Sequence, residues 1–427
     1  MLNPSEIEQI VNLVKKEVVP AIGCTEPVAV SLCVAKATEI LGQLPDKIKL
    51  YLSANILKNA MGVGIPGTKM VGLPIAVALG AMIGKSEYGL QVLKDLTPED
   101  VERGRQYIAE KRIEISLKED IQDNLYIEVH CLKNDNESVA IIKTAHTNFT
   151  YLALNGNVLL EKDCVETEEE GSDDIVLSFE KVHAFSTTVP LDKIRFILQA
   201  AELNRAASAL SSQGSYGHNV GKVVTGTLGK QIFGDSILSH IMSHTAAACD
   251  ARMDGAMIPV MSNSGSGNQG ITATLPVLSY ASDTDCSEEQ LIRALMLSHL
   301  TVVYIKQKLG RLSALCGCVV AATGASCGIT YLMGGDYSKI TFAVKNMIAN
   351  ITGMICDGAK PSCALKISSG VSTAVLSAIM AMENEVVSSL EGIVDDDVDK
   401  TIENLTSIGS EGMRETDKLV LKIMTSK

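Results

Sequence analysis

Apolar positions along the chain recur with two different periods, and the change of period divides it. From Ser5, the residues Ile7, Ile10, Val11 and Val14 repeat at the spacing of one helical face. The segment Pro20-Ala-Ile-Gly-Cys-Thr-Glu-Pro27 interrupts that stripe. Proline is excluded from a helix interior but suits a first turn, so the pattern predicts a helix, a tight turn, and a second helix from about Pro27. Lys47 to Ala54 alternates like a strand through Ile48, Leu50 and Leu52, followed by a glycine-rich turn at Gly62 to Gly67 and a small-residue helix at Leu73 to Ile83. Between Lys111 and Val189 the period falls to two. The runs 112–117, 125–130, 139–142, 149–152 and 175–179 alternate as antiparallel strands with one solvated face do. Asn155-Gly156 marks a hairpin turn, and the acidic run Val165 to Asp174 reads as a solvated loop. Beyond Pro190 the helical period returns and continues to the C-terminus. The expected fold is α+β: an N-terminal α/β domain with an antiparallel sheet over residues 1–190, then an all-helical catalytic domain over residues 191–427.

Composition changes this picture in three places. A mean hydropathy of +0.20 raises the question of a membrane. The apolar stretch Met70 to Gly84 is shorter than the roughly 18–20 residues of a span and contains Pro74. Leu312 to Gly335 is long enough but is diluted by glycines, Ser313, Thr323, Ser326 and Thr330. Glu6, Glu8, Lys15, Lys16 and Glu17 break up any N-terminal signal segment. A cytoplasmic protein without a membrane partner is therefore expected. The net charge of −13 and the scarcity of aromatic residues argue against nucleic acid. Small-residue helical surfaces such as 324–335 would suit close helix packing, as in a homodimer. Finally, the 11 cysteines, in a reducing compartment, read as buried fillers, metal ligands or catalytic thiols rather than disulfides.

Two segments, Gly62 to Gly67 and Gly265 to Gly270, match G-x-G-x-x-G. The first contains Pro66, and no clear crossover helix separates the second from Pro276, so neither has the strand–turn–helix context of a dinucleotide site. The second lies within Ser262-Asn-Ser-Gly-Ser-Gly-Asn-Gln-Gly270, whose hydroxyls, amides and unhindered N–H groups suit a carboxylate. The nearest upstream lysine, Lys230, stands in Leu-Gly-Lys-Gln and does not fit a pyridoxal-phosphate Schiff base. Cys33, Cys131, Cys249 and Cys327 lie among apolar or small residues and read as structural, and Cys164 and Cys286 lie in polar loops. Cys24, Cys316, Cys318, Cys356 and Cys363 occupy turn-like contexts, and the last two flank Asp-Gly-Ala-Lys-Pro. This spacing is not the tight C-x₂-C of zinc ribbons.

Taken together, Gly23-Cys-Thr-Glu-Pro27, Gly62 to Gly67, Ser264-Gly-Ser-Gly-Asn-Gln-Gly270, Cys316, Gly353-x-x-Cys-Asp357 and Pro361-Ser-Cys363 resemble the L-cysteine desulfidase family. That family is similar to the iron–sulfur L-serine dehydratases in its helical domain. The resemblance implies a [4Fe–4S] cluster held by Cys24, Cys316, Cys356 and Cys363, with Cys318 as the competitor for one position. It implies conversion of L-cysteine to pyruvate, ammonia and hydrogen sulfide. Serine dehydratases of this type carry a cysteine at the extreme C-terminus, where this chain has Met424-Thr-Ser-Lys427; the difference favours Cys24 as fourth ligand and cysteine as substrate. L-serine dehydration, a cluster-binding protein without catalysis and a structural zinc protein are the alternatives. Candidates for the substrate-binding groups are Thr25, Ser264, Ser266, Gly267 and Asn268. Candidates for the base are Lys58, His218, His240 and Lys366, while Asp357 is expected to orient the cluster turn.

Overall fold

The computed structural model of the chain describes residues 2–119, 121, 125–162, 175–310 and 313–426. The expected loop at 165–174, Cys164 and Leu312 lie outside the described residues. In chain order the first elements are α1 (Pro4–Glu17), β1 (Pro20–Ile22), α2 (Thr25–Leu41), β2 (Lys47–Leu52), α3 (Ala54–Ala60), β3 (Gly64–Ile65), β4 (Met70–Val71), α4 (Leu73–Ile83) and α5 (Pro98–Ala109). Next come β5 (Ile113–Leu117), β6 (Tyr126–Lys133), β7 (Asn136–Lys143), β8 (Phe149–Leu154) and β9 (Asn157–Glu161). The helical half contains α6 (Phe179–Thr188), α7 (Leu191–Ile194), α8 (Leu198–Gln213), α9 (Val220–Thr225), α10 (Thr227–Phe233) and α11 (Ile237–Met253). It continues with β10 (Pro259–Met261), α12 (Gly267–Ser282), α13 (Glu288–Leu309), α14 (Gly317–Leu332), α15 (Tyr337–Ile351), α16 (Cys363–Met382), α17 (Val398–Ser407) and α18 (Arg414–Thr425).

The α+β class stands. The main sheet has the order β5-β2-β6-β7-β8-β9. It is mixed rather than wholly antiparallel, because β2 and β5 run parallel. Along β2 the even residues Ile48, Leu50 and Leu52 are fully buried, as the alternation predicts. Asn155 and Gly156 both take positive φ between β8 and β9, the geometry that a two-residue hairpin requires. Apolar residues of α2 and α4 cover the sheet in one core, and a second core runs through the helices of the C-terminal half. α1 belongs to the second core through Ile10, Leu13 and Val14.

Three local expectations are corrected. The alternating run at 175–179 is no strand: Ile175 and Leu177 are buried in the helical core, and the side chain of Gln307 takes the ladder's place, donating to Ile175 O and accepting from Leu177 N. The Pro20 turn contains β1, which pairs with β10. α12 begins at Gly267 and continues through Pro276, so a helix does follow the Gly265–Gly270 segment, where no clear one was expected.

Among the described residues one helix, Cys363–Met382, is long and apolar enough to cross a membrane. It is packed against α11, α14 and α15. Gly324 and Gly328 of the 324–335 stretch serve packing within the chain. A Cβ on Gly324 would stand 2.4 Å from Ser298 O of α13, and one on Gly328 would stand 2.7 Å from Val277 of α12.

Candidate active site

Two short backbone bridges assemble the site from segments far apart in sequence. The β1–β10 ribbon pairs Pro20 with Met261 and Ile22 with Pro259. Its continuation, in which Ser262 N donates to Val19 O at 2.8 Å and Ser264 N to Glu17 O at 2.9 Å, sets the Ser262–Asn268 loop beside the Cys24 turn. In the same way a Leu315–Ile355 bridge, with Cys316 N donating to Met354 O and Cys356 N to Ala314 O, sets Cys316 beside Cys356. α16 starts at Cys363, which completes the group.

These segments enclose a cavity of about 150 Å³. Its walls include Cys24, Cys316, Cys356 and Cys363, together with Ser264, Ser266, Asn268, Lys58 and Lys366. A wider groove shares Glu26, Asn55, Ser264 and Ser313 with it, and Thr25 lines this groove instead of the cavity. Gly267 does not line the cavity. A Cβ there would lie 2.2 Å from Arg252 Nε, so the glycine makes room for a guanidinium. His218 is exposed and outside the cavity, with its backbone N–H on Asp250. His240 also lies outside, bonded to Asp235 and Asp283.

Burial dominates the electrostatics of the thiols. It pushes Cys316 up to about 12, and the neighbouring Cys356 and Cys363 act in the same direction. Cys24 is pushed well up by burial and then by Glu26, which accepts its S–H at 2.9 Å; Arg252 pulls the other way. Cys24 and Cys316 both occupy helix N-cap positions without making the capping bond that serine or threonine would make there. Cys318 also reaches the cavity, but its Sγ donates to Lys366 O and is packed where a Cβ on Gly370 would lie. Burial opposes ionisation of Asp357, yet Lys360 and Lys366 hold it down at about 2. Lys366 also donates to Ile355 O at 2.8 Å, so this lysine braces the turn that carries Cys356. Lys58 Nζ is ion-paired with Asp417 of α18.

Among the described residues, no three His, Cys, Asp or Glu side chains converge closely enough to hold a metal ion. Four soft donors spread around one cavity fit a polynuclear iron–sulfur group, whose ligands are thiolates. Cys24, Cys316 and Cys363, kept neutral by burial, would lose their protons as such a group bound.

The chain matches the serine dehydratase alpha chain family over residues 87–422. It belongs to that family. It is 66% identical to a UPF0597 protein of Bacteroides fragilis over 426 residues, covering all of both chains. A UPF0597 protein of Porphyromonas gingivalis is 56% identical over 432 residues, and one of Oleidesulfovibrio alaskensis 45% identical over 428, again with full coverage of both. The family match takes in the Ser262–Asn268 loop and Cys316, Cys356 and Cys363, and leaves Cys24 and Lys58 outside it.

Arg252, which no motif in the sequence singles out, lines the cavity at only 6% exposure. It stands in Asp250-Ala-Arg-Met-Asp254 near the end of α11, where its neighbours in sequence suggest a surface charge.

Proposed function

We propose that this serine dehydratase-like protein is an iron–sulfur-dependent β-elimination lyase that converts L-cysteine and water to pyruvate, ammonia and hydrogen sulfide. The observation that carries the reading is the joint placement of four cysteines and the Ser262–Asn268 loop around one small cavity. A [4Fe–4S] cluster on Cys316, Cys356 and Cys363, with Cys24 as an exchangeable fourth ligand, would supply a Lewis-acidic iron for the leaving β-substituent. The loop orients the amino acid through Ser264, Ser266 and Asn268. Lys366 is committed to the Cys356 turn, which leaves Lys58 as the better-placed base: its Nζ passes the proton of its ion pair to the Asp417 carboxylate and then takes the Cα proton. L-serine is the second reading, favoured by the family to which the chain belongs.

Anaerobically reconstituted protein should release sulfide and pyruvate together from L-cysteine, with slower turnover of L-serine. Lys58→Met should lower kcat by roughly 10²–10⁴-fold at unchanged iron content. Faster turnover of L-serine would move the assignment to the second reading. Unchanged kcat in Lys58→Met would remove Lys58 as the base.

A further inference from the structure

Arg252 is a buried cation without a carboxylate partner among the described residues. Its Nη1 donates to Asn268 Oδ1 and its Nη2 to Gly23 O, both at 3.0 Å, Nη1 also approaches Met253 Sδ at 3.9 Å, and its Nε has no acceptor. Both acceptors are neutral, and each belongs to a segment that forms the cavity wall. Gly23 precedes Cys24, and its positive φ and contact with Pro66 fix that turn. Asn268 is in the first turn of α12. A guanidinium hidden from water with only neutral acceptors loses hydration that those two bonds do not fully return. Its Nε–H makes no hydrogen bond. The cavity beside it is where a complementary anion would restore the balance.

From this we infer that Arg252 is the specificity-determining residue for the substrate's α-carboxylate, gripping it between the Cys24 turn and the Ser262–Asn268 loop. The inference rests on the amino-acid lyase reading and extends it. Asn268 and Gly23 hold the guanidinium in orientation, and Gly267 exists to let it pass. The substrate class follows from the charge: a free α-carboxylate is required, so esters and decarboxylated amines are rejected. Binding a carboxylate to a fixed guanidinium is a charge-assisted, geometrically selective contact.

The test uses wild type, Arg252→Lys and Arg252→Gln, each with iron content measured. With reconstituted enzyme, Arg252→Gln should raise the KM for L-cysteine roughly 10- to 100-fold, while kcat falls much less and iron content is unchanged. It should also lose the preference for L-cysteine over its methyl ester, and Arg252→Lys should recover part of the preference. In cluster-free protein, L-alanine but not ethylamine should raise the Tm of wild type, and neither should raise that of Arg252→Gln. An unchanged KM and an unchanged L-alanine shift in Arg252→Gln would overturn the inference, as would a loss of iron with normal L-alanine binding. If wild type turns over no amino acid yet L-alanine still shifts its Tm through Arg252, the lyase reading fails and the carboxylate site survives.

Discussion

Replacing Cys316, Cys356 or Cys363 with serine should abolish cluster retention after anaerobic reconstitution, and replacing Cys33 should not. The first three line the cavity, whereas Cys33 is fully buried under the sheet with its S–H on Ala140 O. Visible absorbance and iron content separate the outcomes. A second residue-scale prediction concerns His299, which is fully buried below the site. Its Nδ1 faces Asn263 Nδ2 at 3.1 Å and its Nε2 faces Thr274 Oγ1 at 2.9 Å. Burial lowers its pKa to about 3. The unfolded chain takes up this proton near pH 6.5 and the folded one does not, so stability is lost as pH falls below that value. The cluster-free protein should lose roughly 1.5–2 kcal/mol from this group between pH 6.5 and 5, and His299→Gln should remove that part of the slope. Denaturant melts at the two pH values check it. At this scale the cysteine and Ser-Gly-Asn candidates were readable in the sequence, because their residue types carry the chemistry themselves. Arg252 was not, since a buried arginine and a surface arginine look alike until the groups around them are known.

The elements owe their positions to a few close backbone approaches. Gly358, in the turn between Cys356 and Cys363, has φ +88°, and a Cβ there would lie 2.2 Å from Lys58 O. α3 therefore lies directly on the turn, and Gly358→Ala should separate them. We expect a cost of at least about 1–3 kcal/mol from the backbone conformation alone, and a weakened cluster site. Thermal unfolding and iron titration measure the two effects. Long periodic elements, such as α4, α13 and the strands β2 and β6, follow from their apolar spacing. The short ones do not: β1 and β10 have three residues each and exist only through each other. The alternation at 175–178 is real, but whether it joins a sheet depends on a partner, and Gln307 filled that place.

For the whole molecule, a mean hydropathy of +0.20 is explained by two cores, one under the sheet and one through the helical half. The helical core is packed closely through glycine, alanine and serine, and its helix N-termini at Cys316, Cys363 and Ser266 open on one cavity. The α+β class was evident from the change of period, whereas the convergence of the Cys24 turn with the distant Ser262–Asn268 loop required the β1–β10 ribbon. One measurement bears most directly on the central claim. Protein reconstituted under anaerobic conditions is assayed for iron, and for pyruvate and sulfide formed from L-cysteine in the same reaction. The expected result is about four irons per chain, with pyruvate and sulfide appearing in equal amounts and both ceasing when the cluster is destroyed by air. An iron-free protein, or a cluster-loaded one that forms no pyruvate, would contradict it.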